Sequence, residues 1–346
     1  MNSNGKPLIG IAYNLYVPIA LHLNEKVSEE TIEEMAQQAY EAVLSLDYPA
    51  VLIPLKESFM GFLRRIQEVK PQVIINLCES FCDRPQLEAN IAAAYELLEL
   101  AFTGNGSRAL TLCQDKFQAK AILASHGLPT AKARLVTAAD QVVGLRFPLI
   151  VKPNAEDASL GVYPDSVVRD AKSLRGRIHK ILETYEDPAI VEEYIEGREF
   201  NVAVMDGEKR QALPVSEIDF SAMPPGMPRI VSYEAKWFED HELFLKTPPV
   251  CPAPVAETVR ARLQECALRA FQVLGCQDYA RVDFRMNKDG DIFILEVNPN
   301  PDISLNAGYV RALHAARLDY PTFWGRMIDN ALRRSASHGT AYEKVR

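Results

Sequence analysis

The sequence predicts an α/β protein that begins with a small parallel sheet and continues into two α+β units. Strand and helix patterns alternate at the start of the chain, and this alternation is typical of a parallel sheet with helices on both faces. Two turn signals farther along, Asp206-Gly207 and Asp289-Gly290, stand between apolar runs and predict antiparallel hairpins. With 346 residues, the chain is long enough for two or three domains. The expected units are 1–110, 111–205 and 206–346.

Three strand patterns are each followed by a helix pattern in the first unit. The predicted strands are residues 8–13, 50–55 and 73–77. The helices are expected from Ser28, around Phe59 and from Pro85, because apolar residues recur there at helical spacing. The first turn lacks a Gly-x-Gly-x-x-Gly pattern, which excludes the dinucleotide-binding fingerprint.

The rest of the chain mixes hairpins with helices. The predicted helices are residues 115–125, 173–185, 256–274, 305–316 and 321–332. The predicted strands and hairpins are residues 134–136, 147–152, 189–195, 200–218 and 279–298. A long segment over 214–254 is rich in proline and aromatic residues, a composition typical of a functional lid. We expect a mobile polar tail after Arg333.

Composition excludes several classes of protein. The net charge of −8 disfavours a protein that binds duplex nucleic acid, which usually has a basic face. No apolar run approaches the roughly 20 residues that span a bilayer. The polar N-terminus does not resemble a signal peptide, so we expect a cytoplasmic protein. Six cysteines contain no Cys-x-x-Cys pair, which disfavours a zinc site or a disulfide framework.

The hairpin over 279–298 carries a charged face. If Asp289-Gly290 is a two-residue turn, Asp283 faces Glu296 and Arg281 faces Asn298. The opposite, apolar face is then formed by Val282, Phe284, Met286, Phe293, Leu295 and Val297.

Two carboxylates that face each other repel and destabilise a sheet. A divalent cation between Asp283 and Glu296 removes this repulsion, and carboxylate and amide oxygens suit magnesium that also binds substrate phosphates. The alternative is a solvated face on which Arg281 neutralises the two acids. The hairpin alone leaves both interpretations open.

The hairpin resembles the metal-binding hairpin of the ATP-grasp ligases, through Arg-Val-Asp-Phe at 281–284 and Leu-Glu-Val-Asn-Pro at 295–299. Other segments, in the same order, resemble the D-alanine–D-alanine ligase branch. They read FTGNGSRALTLCQDKFQAK, FPLIVKP, VEEYIEGREFNVAV, LPVSEIDF, YEAKW and CPA. Together they span roughly residues 76–301. The resemblance implies an ATP-grasp fold, in which two α+β subdomains clasp ATP behind an N-terminal domain, and a homodimer.

The resemblance also implies roles for residues that bind ATP. Lys116 and Lys152 resemble the two lysines that hold the phosphates; without the motif, each would be read as a surface lysine. The hinge strand that reads adenine corresponds to Glu192, Glu193 and Ile195, and the carboxylate that binds the ribose corresponds to Glu199. Without the motif, these acids would form the exposed face of an edge strand.

The catalytic groups and the metal ligands follow from the same resemblance. Small residues of a loop that closes over the phosphates correspond to Ala158, Ser159 and Gly161, which would otherwise be a flexible turn. Lys236 resembles a lid lysine at the terminal phosphate, and Arg281 resembles the arginine that steadies the transferred group. The implied catalytic residues are Arg281, Lys236 and Ser159. The implied ligands of Mg²⁺, with Mn²⁺ as an alternative ion, are Asp283, Glu296 and Asn298.

The substrate end departs from the family pattern. The family's loop has a glycine and two serines, whereas this chain has Asp157-Ala158-Ser159, and Trp237 replaces a lid tyrosine. An early glutamate that anchors the first D-alanine has no counterpart in residues 12–23.

Past the hairpin, Asp302 stands where the family has a glycine that helps to present backbone donors to a carboxylate. An aspartate there repels a carboxylate and attracts an amine; alternatively, it caps a helix that starts near Leu305. Ala307 and Gly308 replace a serine-leucine pair. We therefore predict that Trp237 and Asp302 contact the substrate. We do not expect D-alanyl-D-alanine synthesis as the main activity.

The predicted function is that of an ATP- and Mg²⁺-dependent ligase, which joins a small-molecule carboxylate to an amine, expected to be an amino acid, through an acylphosphate. The sequence leaves two alternatives. One is a dipeptide or peptide-tailoring ligase, and the other is a non-catalytic regulator that binds ATP.

Overall fold

The computed structural model describes residues 5–15, 27–82, 84–185 and 187–343. Its first sheet is parallel, with strand order β2-β1-β3. The strands are β1 (Ile9–Asn14), β2 (Ala50–Leu55) and β3 (Val73–Leu77). The helices that accompany them are α1 (Val27–Ser45), α2 (Phe59–Val69) and α3 (Glu88–Leu97). The predicted alternation of strands and helices is therefore confirmed.

Local capping explains why α2 forms where it does. The Ser58 side chain accepts a hydrogen bond from the Gly61 backbone N–H at the N-terminus, as a helix cap should. At the other end, Lys70 adopts a left-handed conformation and its N–H donates to the Ile66 carbonyl. Phe62 and Ile66 point into the core on the apolar face.

The second sheet has four strands in the order β4-β7-β5-β6. These are β4 (Ala133–Val136), β5 (Leu149–Pro153), β6 (Val167–Val168) and β7 (Ala189–Glu193). Helices α4 (Ser107–Gln114) and α5 (Lys116–Ser125) precede this sheet in the chain, and α6 (Ala171–Tyr185) packs against it. Because β7 lies between β4 and β5, it is an interior strand of the sheet.

The third sheet has the strand order β11-β10-β8-β12-β13, with β9 also paired to β8. Its strands are β8 (Gly197–Met205), β9 (Gln211–Ala212), β10 (Ser216–Ile218), β11 (Pro249–Val250), β12 (Tyr279–Asn287) and β13 (Ile292–Asn298). The sheet begins within the second predicted unit, because β8 pairs along its whole length with β12. The division of the chain at residue 205 stays a prediction.

Five helices complete the fold. They are α7 (Tyr233–Trp237), α8 (Glu242–Leu245), α9 (Glu257–Val273), α10 (Gly308–Ala315) and α11 (Tyr320–Glu343). The predicted end of the last helix at residue 332 is wrong, since α11 continues to Glu343, and the mobility expected after Arg333 stays a prediction. Two of the helices, α7 and α8, lie in the predicted lid segment. Among the described residues, none of the helices combines the length and apolarity needed to cross a membrane.

The hairpin over 279–298 differs from its predicted register at two places. The loop has three residues, because Met286 pairs with Ile292 and the Asn287 N–H donates to the Asp291 carbonyl. A bulge then places one extra residue, Leu295, on β13, so that Phe284 pairs with Ile294 but Asp283 pairs with Glu296. The two-residue turn is therefore wrong, while the pairing of the two carboxylates is confirmed.

The bulge also changes which side chains reach the core. Ile292 and Ile294 are buried there, whereas Phe293 and Leu295 are not. The predicted core positions of Phe293 and Leu295 are wrong because one extra residue reverses the alternation of faces along a strand. Val282 and Phe284 on β12 are buried as predicted.

Buried polar contacts tie this hairpin to the start of α4. Asp278, just before β12, is fully buried, accepts a hydrogen bond from the Gly104 N–H at 2.8 Å and pairs with Arg334 of α11. The Asn105 side chain donates to the carbonyls of Tyr279 and Pro299, at 2.7 and 2.6 Å. Both ends of the hairpin are thereby held in place.

Candidate active site

A cleft of about 840 Å³ lies between the second and third sheets and is also lined by Glu34 and Gln38 of α1. It brings together the predicted site residues from all along the chain. Those that line it are Lys116, Lys152, Ala158, Ser159, Glu192, Glu193, Ile195, Glu199, Lys236, Trp237, Arg281, Asp283, Glu296, Asn298 and Asp302. Gly161 does not line it.

The charged face of the hairpin is organised around Asp283. Arg281 donates two hydrogen bonds, both of 2.8 Å, to the two carboxylate oxygens of Asp283. The Asn201 side chain on β8 donates a third, also at 2.8 Å. Asp283 is only 7 % exposed, so these donors compensate for its burial. The arrangement fixes the orientation of both the carboxylate and the guanidinium.

Glu296 faces Asp283 and lies among cations. Burial disfavours its ionised form, but the charges of Lys116, Lys152, Arg281 and Lys236 outweigh burial and lower the pKa of Glu296 to about 2. Glu296 is therefore a carboxylate at neutral pH.

The oxygen atoms on this face fit a magnesium ion. The side-chain oxygen atoms of Asp283, Glu296 and Asn298 are hard ligands, which magnesium prefers. Within the described ranges, no cluster of three or more His, Cys, Asp or Glu side chains could hold a metal ion. A magnesium ion bound by Asp283, Glu296 and Asn298 would therefore need further oxygen ligands, which substrate phosphates and water would supply.

Lys116 begins α5 and is bound to the neighbouring loop. Its ammonium lies 3.0 Å from an Asp157 carboxylate oxygen and donates to the Glu156 carbonyl. Although burial opposes it, the negative charges of Asp157 and Glu296 raise the pKa of Lys116, so the side chain stays protonated. At 4 % exposure, it is not the surface lysine of the alternative interpretation.

The side chain of Glu192 lies between two lysines. One carboxylate oxygen is 2.8 Å from the Lys120 ammonium, and the other is 3.2 Å from that of Lys152. Glu192 is 1 % exposed and β7 is an interior strand, so the exposed-edge alternative is wrong for this residue. Glu193 is the last residue of β7, and Ile195 follows where the chain leaves the sheet.

The loop that contains Ala158 and Ser159, next to the predicted lid, has two non-glycine residues with positive φ. Ala158 and Ser159 are consecutive non-glycine residues in the left-handed region, with φ of 56° and 63°, a conformation that costs free energy. The lid holds it in place: the Trp237 indole N–H donates to the Ala158 carbonyl at 2.8 Å, and the Ser159 hydroxyl donates to the Val231 carbonyl at 3.1 Å.

Gly161 lies behind this loop. A Cβ atom at this position would be 2.6 Å from a Pro153 ring carbon, and φ is +69°. Both observations require glycine. Its contribution is to let the loop pack on β5, with Ala158 and Ser159 towards the cleft.

The lid and the far end of the cleft contribute Lys236 and Asp302. The Lys236 ammonium lies 5.1 Å above the Trp237 ring. Burial and the nearby Arg281 lower the pKa of Lys236. Asp302 accepts the Ser304 N–H at 2.9 Å, whereas α10 starts at Gly308 without a side-chain cap. The helix-capping alternative for Asp302 is therefore wrong.

Part of the substrate end lies outside the described residues. The absence of a carboxylate in residues 12–23 is a property of the sequence, but residues 16–26 are not described. Ala307 and Gly308 line the cleft, as Asp302 does.

Sequence reasoning missed several residues of the site, although periodicity pointed to each. Lys120 lies one helical turn after Lys116 on α5, and Arg285 lies two residues after Asp283 on the same face of β12. Arg285 pairs with Glu199 at 2.9 Å. Asn201 lies two residues after Glu199 on β8. A search by strand and helix period around the predicted residues would have found all three.

Comparison with known proteins decides the family. Residues 121–329 match the family model described as the D-Ala-D-Ala ligase C-terminus. The chain belongs to the D-alanine–D-alanine ligase family. This membership makes it an ATP-dependent ligase of the ATP-grasp class, which forms carbon–nitrogen bonds.

Individual relatives agree with the assignment. The chain is 33 % identical over 252 residues to a D-alanine–D-alanine ligase of Bordetella petrii, covering 70 % of this chain and 72 % of that protein. It is also 29 % identical over 268 residues to an uncharacterized protein of Sinorhizobium fredii, covering 77 % and 76 %. The fold matches a D-alanine–D-alanine ligase of Bacillus anthracis solved with ATP, with a TM-score of 0.75, 21 % identity and coverage of 96 % and 99 %.

The hydrogen bond from Trp237 to Ala158 gives a testable prediction for this member of the D-alanine–D-alanine ligase family. Replacing Trp237 by phenylalanine keeps a ring but removes the hydrogen bond to Ala158, which is worth about 1 kcal/mol. We expect the nucleotide to dissociate roughly two- to tenfold faster, measured by stopped-flow with a fluorescent nucleotide. Trp324, the other tryptophan, is buried in the core and does not line the cleft. Trp324→Phe is therefore the control, and equal dissociation rates in both variants would contradict the lid contact.

Proposed function

We propose that the protein uses ATP and Mg²⁺ to activate a small-molecule carboxylate and to join it to the amine of an amino acid. The observation that carries the proposal is the convergence of Lys116, Lys152, Lys236 and Arg281 on Glu296 in one cleft. Four cations around one carboxylate suit the binding of a polyphosphate with its metal ion. We further propose that D-alanyl-D-alanine is not the principal product.

The proposed reaction has two steps. An oxygen of the substrate carboxylate attacks the γ-phosphorus of ATP, the bond to the bridging oxygen breaks, and an acylphosphate and ADP form. The amine nitrogen then attacks the acyl carbon, inorganic phosphate leaves, and the nitrogen loses a proton to give the amide. Family membership and the retained charged residues support these steps and disfavour a non-catalytic regulator.

The side chains act mainly through charge and position. Arg281, fixed by its two bonds to Asp283, holds a guanidinium where negative charge develops during phosphoryl transfer. Lys116 and Lys152 bind phosphate oxygens, and Glu199 with Glu193 and Ile195 contacts the nucleoside. Asp283, Glu296 and Asn298 would hold Mg²⁺, which would neutralise phosphate charge when bound. The lid over Ala158 and Ser159 excludes water from the acylphosphate.

The end of the cleft that is proposed to bind the amine substrate has both a negatively and a positively charged side chain. These are Asp302 and Arg311 of α10, which both line the cleft. The Nε of Arg311 is buried and has no hydrogen-bond partner in the described part of the chain, while one of its terminal nitrogens donates to the Asn306 carbonyl. A zwitterionic amino acid fits this pair, with its amino group towards Asp302 and its carboxylate towards Arg311. The cytoplasmic location and the homodimer stay predictions from the sequence.

A substrate panel tests the proposal. We expect ATP- and Mg²⁺-dependent phosphate release with at least one carboxylate and amino-acid pair, and little release with D-alanine alone. Robust ADP formation with D-alanine as the only added substrate would contradict the specificity part. For the active pair, Asp302→Asn is expected to raise the KM of the amine about tenfold. An unchanged KM would show that Asp302 does not contact the acceptor.

A further inference from the structure

Lys120 forms a buried charge group with Glu192 and Lys152. Its ammonium is 2.8 Å from one Glu192 oxygen, and the other Glu192 oxygen is 3.2 Å from the Lys152 ammonium. The side chains of Lys120 and Glu192 are 5 % and 1 % exposed, so water compensates neither charge. Lys152, at 12 % exposure, lines the cleft, whereas Lys120 does not. Lys120 thus acts on the cleft only through Glu192.

Additional hydrogen bonds fix the position of Lys120. Its ammonium donates to the Thr130 hydroxyl at 3.1 Å and lies 3.4 Å from the Ile294 carbonyl. The Thr130 hydroxyl in turn donates to the same carbonyl at 3.1 Å. Ile294 directly precedes the bulge residue Leu295 on β13. The Lys120 ammonium is therefore fixed between Glu192, Thr130 and Ile294, and Lys120 does not line the cleft.

The sum of charges in this group is the important quantity. Two lysines and one glutamate leave one positive charge in excess, and that excess is on the lysine that faces the cleft. Without Lys120, Glu192 and Lys152 would form a neutral pair with both carboxylate oxygens available to Lys152. A neutral pair attracts a phosphate much less than a free ammonium does, especially at a site of low dielectric constant.

We propose that Lys120 is a positioning residue that occupies one oxygen of Glu192 and neutralises its charge, so that Lys152 keeps a full positive charge for the nucleotide phosphates. This inference rests on the proposed ATP-binding function. The competing explanation is that Lys120 only holds α5, β7 and β13 together. The two explanations differ in what happens when the charges of Lys120 and Glu192 are removed together.

Equilibrium binding of ADP and of adenosine tests the proposal without turnover. Lys120→Met is expected to weaken ADP binding about tenfold and to leave adenosine binding unchanged, because adenosine has no phosphate. The double variant Lys120→Met/Glu192→Gln again has one excess positive charge, on Lys152. Because Glu192 also belongs to the predicted adenine hinge, ADP affinity is compared with adenosine affinity in each variant, and in the double variant the ratio of the two should return to within about threefold of the wild-type ratio. Lys132→Met is the control, since Lys132 is an exposed lysine close in sequence.

Each result decides between the explanations. Recovery of the ratio of ADP to adenosine affinity in the double variant supports the charge role, whereas a ratio equal to or below that of Lys120→Met overturns it. If Lys120→Met does not fold, the double variant and Lys120→Arg decide, and a tenfold loss of ADP affinity relative to adenosine affinity in either folded variant overturns the proposal. A wild-type protein that binds no ADP would instead contradict the proposed function itself.

Discussion

Replacement of Glu296 by glutamine is expected to lower kcat/KM by about 1,000-fold, or roughly 4 kcal/mol of transition-state stabilisation. The substitution keeps the shape of the side chain and removes its charge. That charge attracts Lys116, Lys152, Arg281 and Lys236, which lower the pKa of Glu296 to about 2, and it is the proposed link to Mg²⁺. A metal ion at a phosphoryl group contributes several kcal/mol, so its loss accounts for this magnitude.

Steady-state kinetics with the substrate pair found in the panel measure this effect. Asp289→Asn is the matched control, because Asp289 is an exposed carboxylate in the loop of the same hairpin. We expect the control to retain wild-type activity and both variants to keep the wild-type circular dichroism spectrum. A folded Glu296→Gln variant within about tenfold of wild-type kcat/KM would rule out the proposed role of Glu296 as a metal ligand.

Replacement of Arg281 by lysine is expected to lower kcat by about 100- to 1,000-fold. Arg281 makes two parallel bonds of 2.8 Å to Asp283, and a lysine cannot form this forked contact. The positive charge remains, but it is no longer fixed where negative charge develops on the transferred group. Asp283, a proposed metal ligand, also loses part of what orients its carboxylate. The expected loss is therefore larger in kcat than in the affinity for ATP.

Kinetic parameters and nucleotide affinity, measured on the same preparation, separate these effects. Arg262→Lys provides the control, since Arg262 is an exposed arginine of α9. A loss confined to ATP affinity, with kcat unchanged, would place Arg281 in nucleotide binding alone. Loss of the folded state in Arg281→Lys would instead point to a structural role for the contact with Asp283.

The hairpin over 279–298 shows how far strand pairing could be predicted from sequence. The pairing of Asp283 with Glu296 is correct, although the loop has three residues where two were expected. The bulge at Leu295 adds one residue to β13. This residue offsets the extra loop residue, so that Asp283 and Glu296 pair as predicted. The alternation of apolar residues cannot reveal two irregularities that compensate each other, so it places Phe293 and Leu295 on the wrong face.

The surroundings of Glu192 show a second limit. The sequence motif indicates a nucleotide hinge at this strand, but not that its side chain joins Lys120 to Lys152. Those residues are separated along the chain, and only the packing of α5 against the second and third sheets brings them within 2.8 and 3.2 Å of one carboxylate. Such contacts depend on the closure of long loops, which local patterns do not encode.

The sequence by itself determined the family, the alternation of strands and helices in the first unit, and the charged face of the hairpin. These follow from short-range periodicity and from ordered motifs. Tertiary structure decided which side chains share the cleft, the bulge at Leu295, the contact of Trp237 with Ala158 and the partners of Glu192. The physical reason is that burial and charge pairing depend on distances across the folded chain, and these distances are set when three sheets pack together.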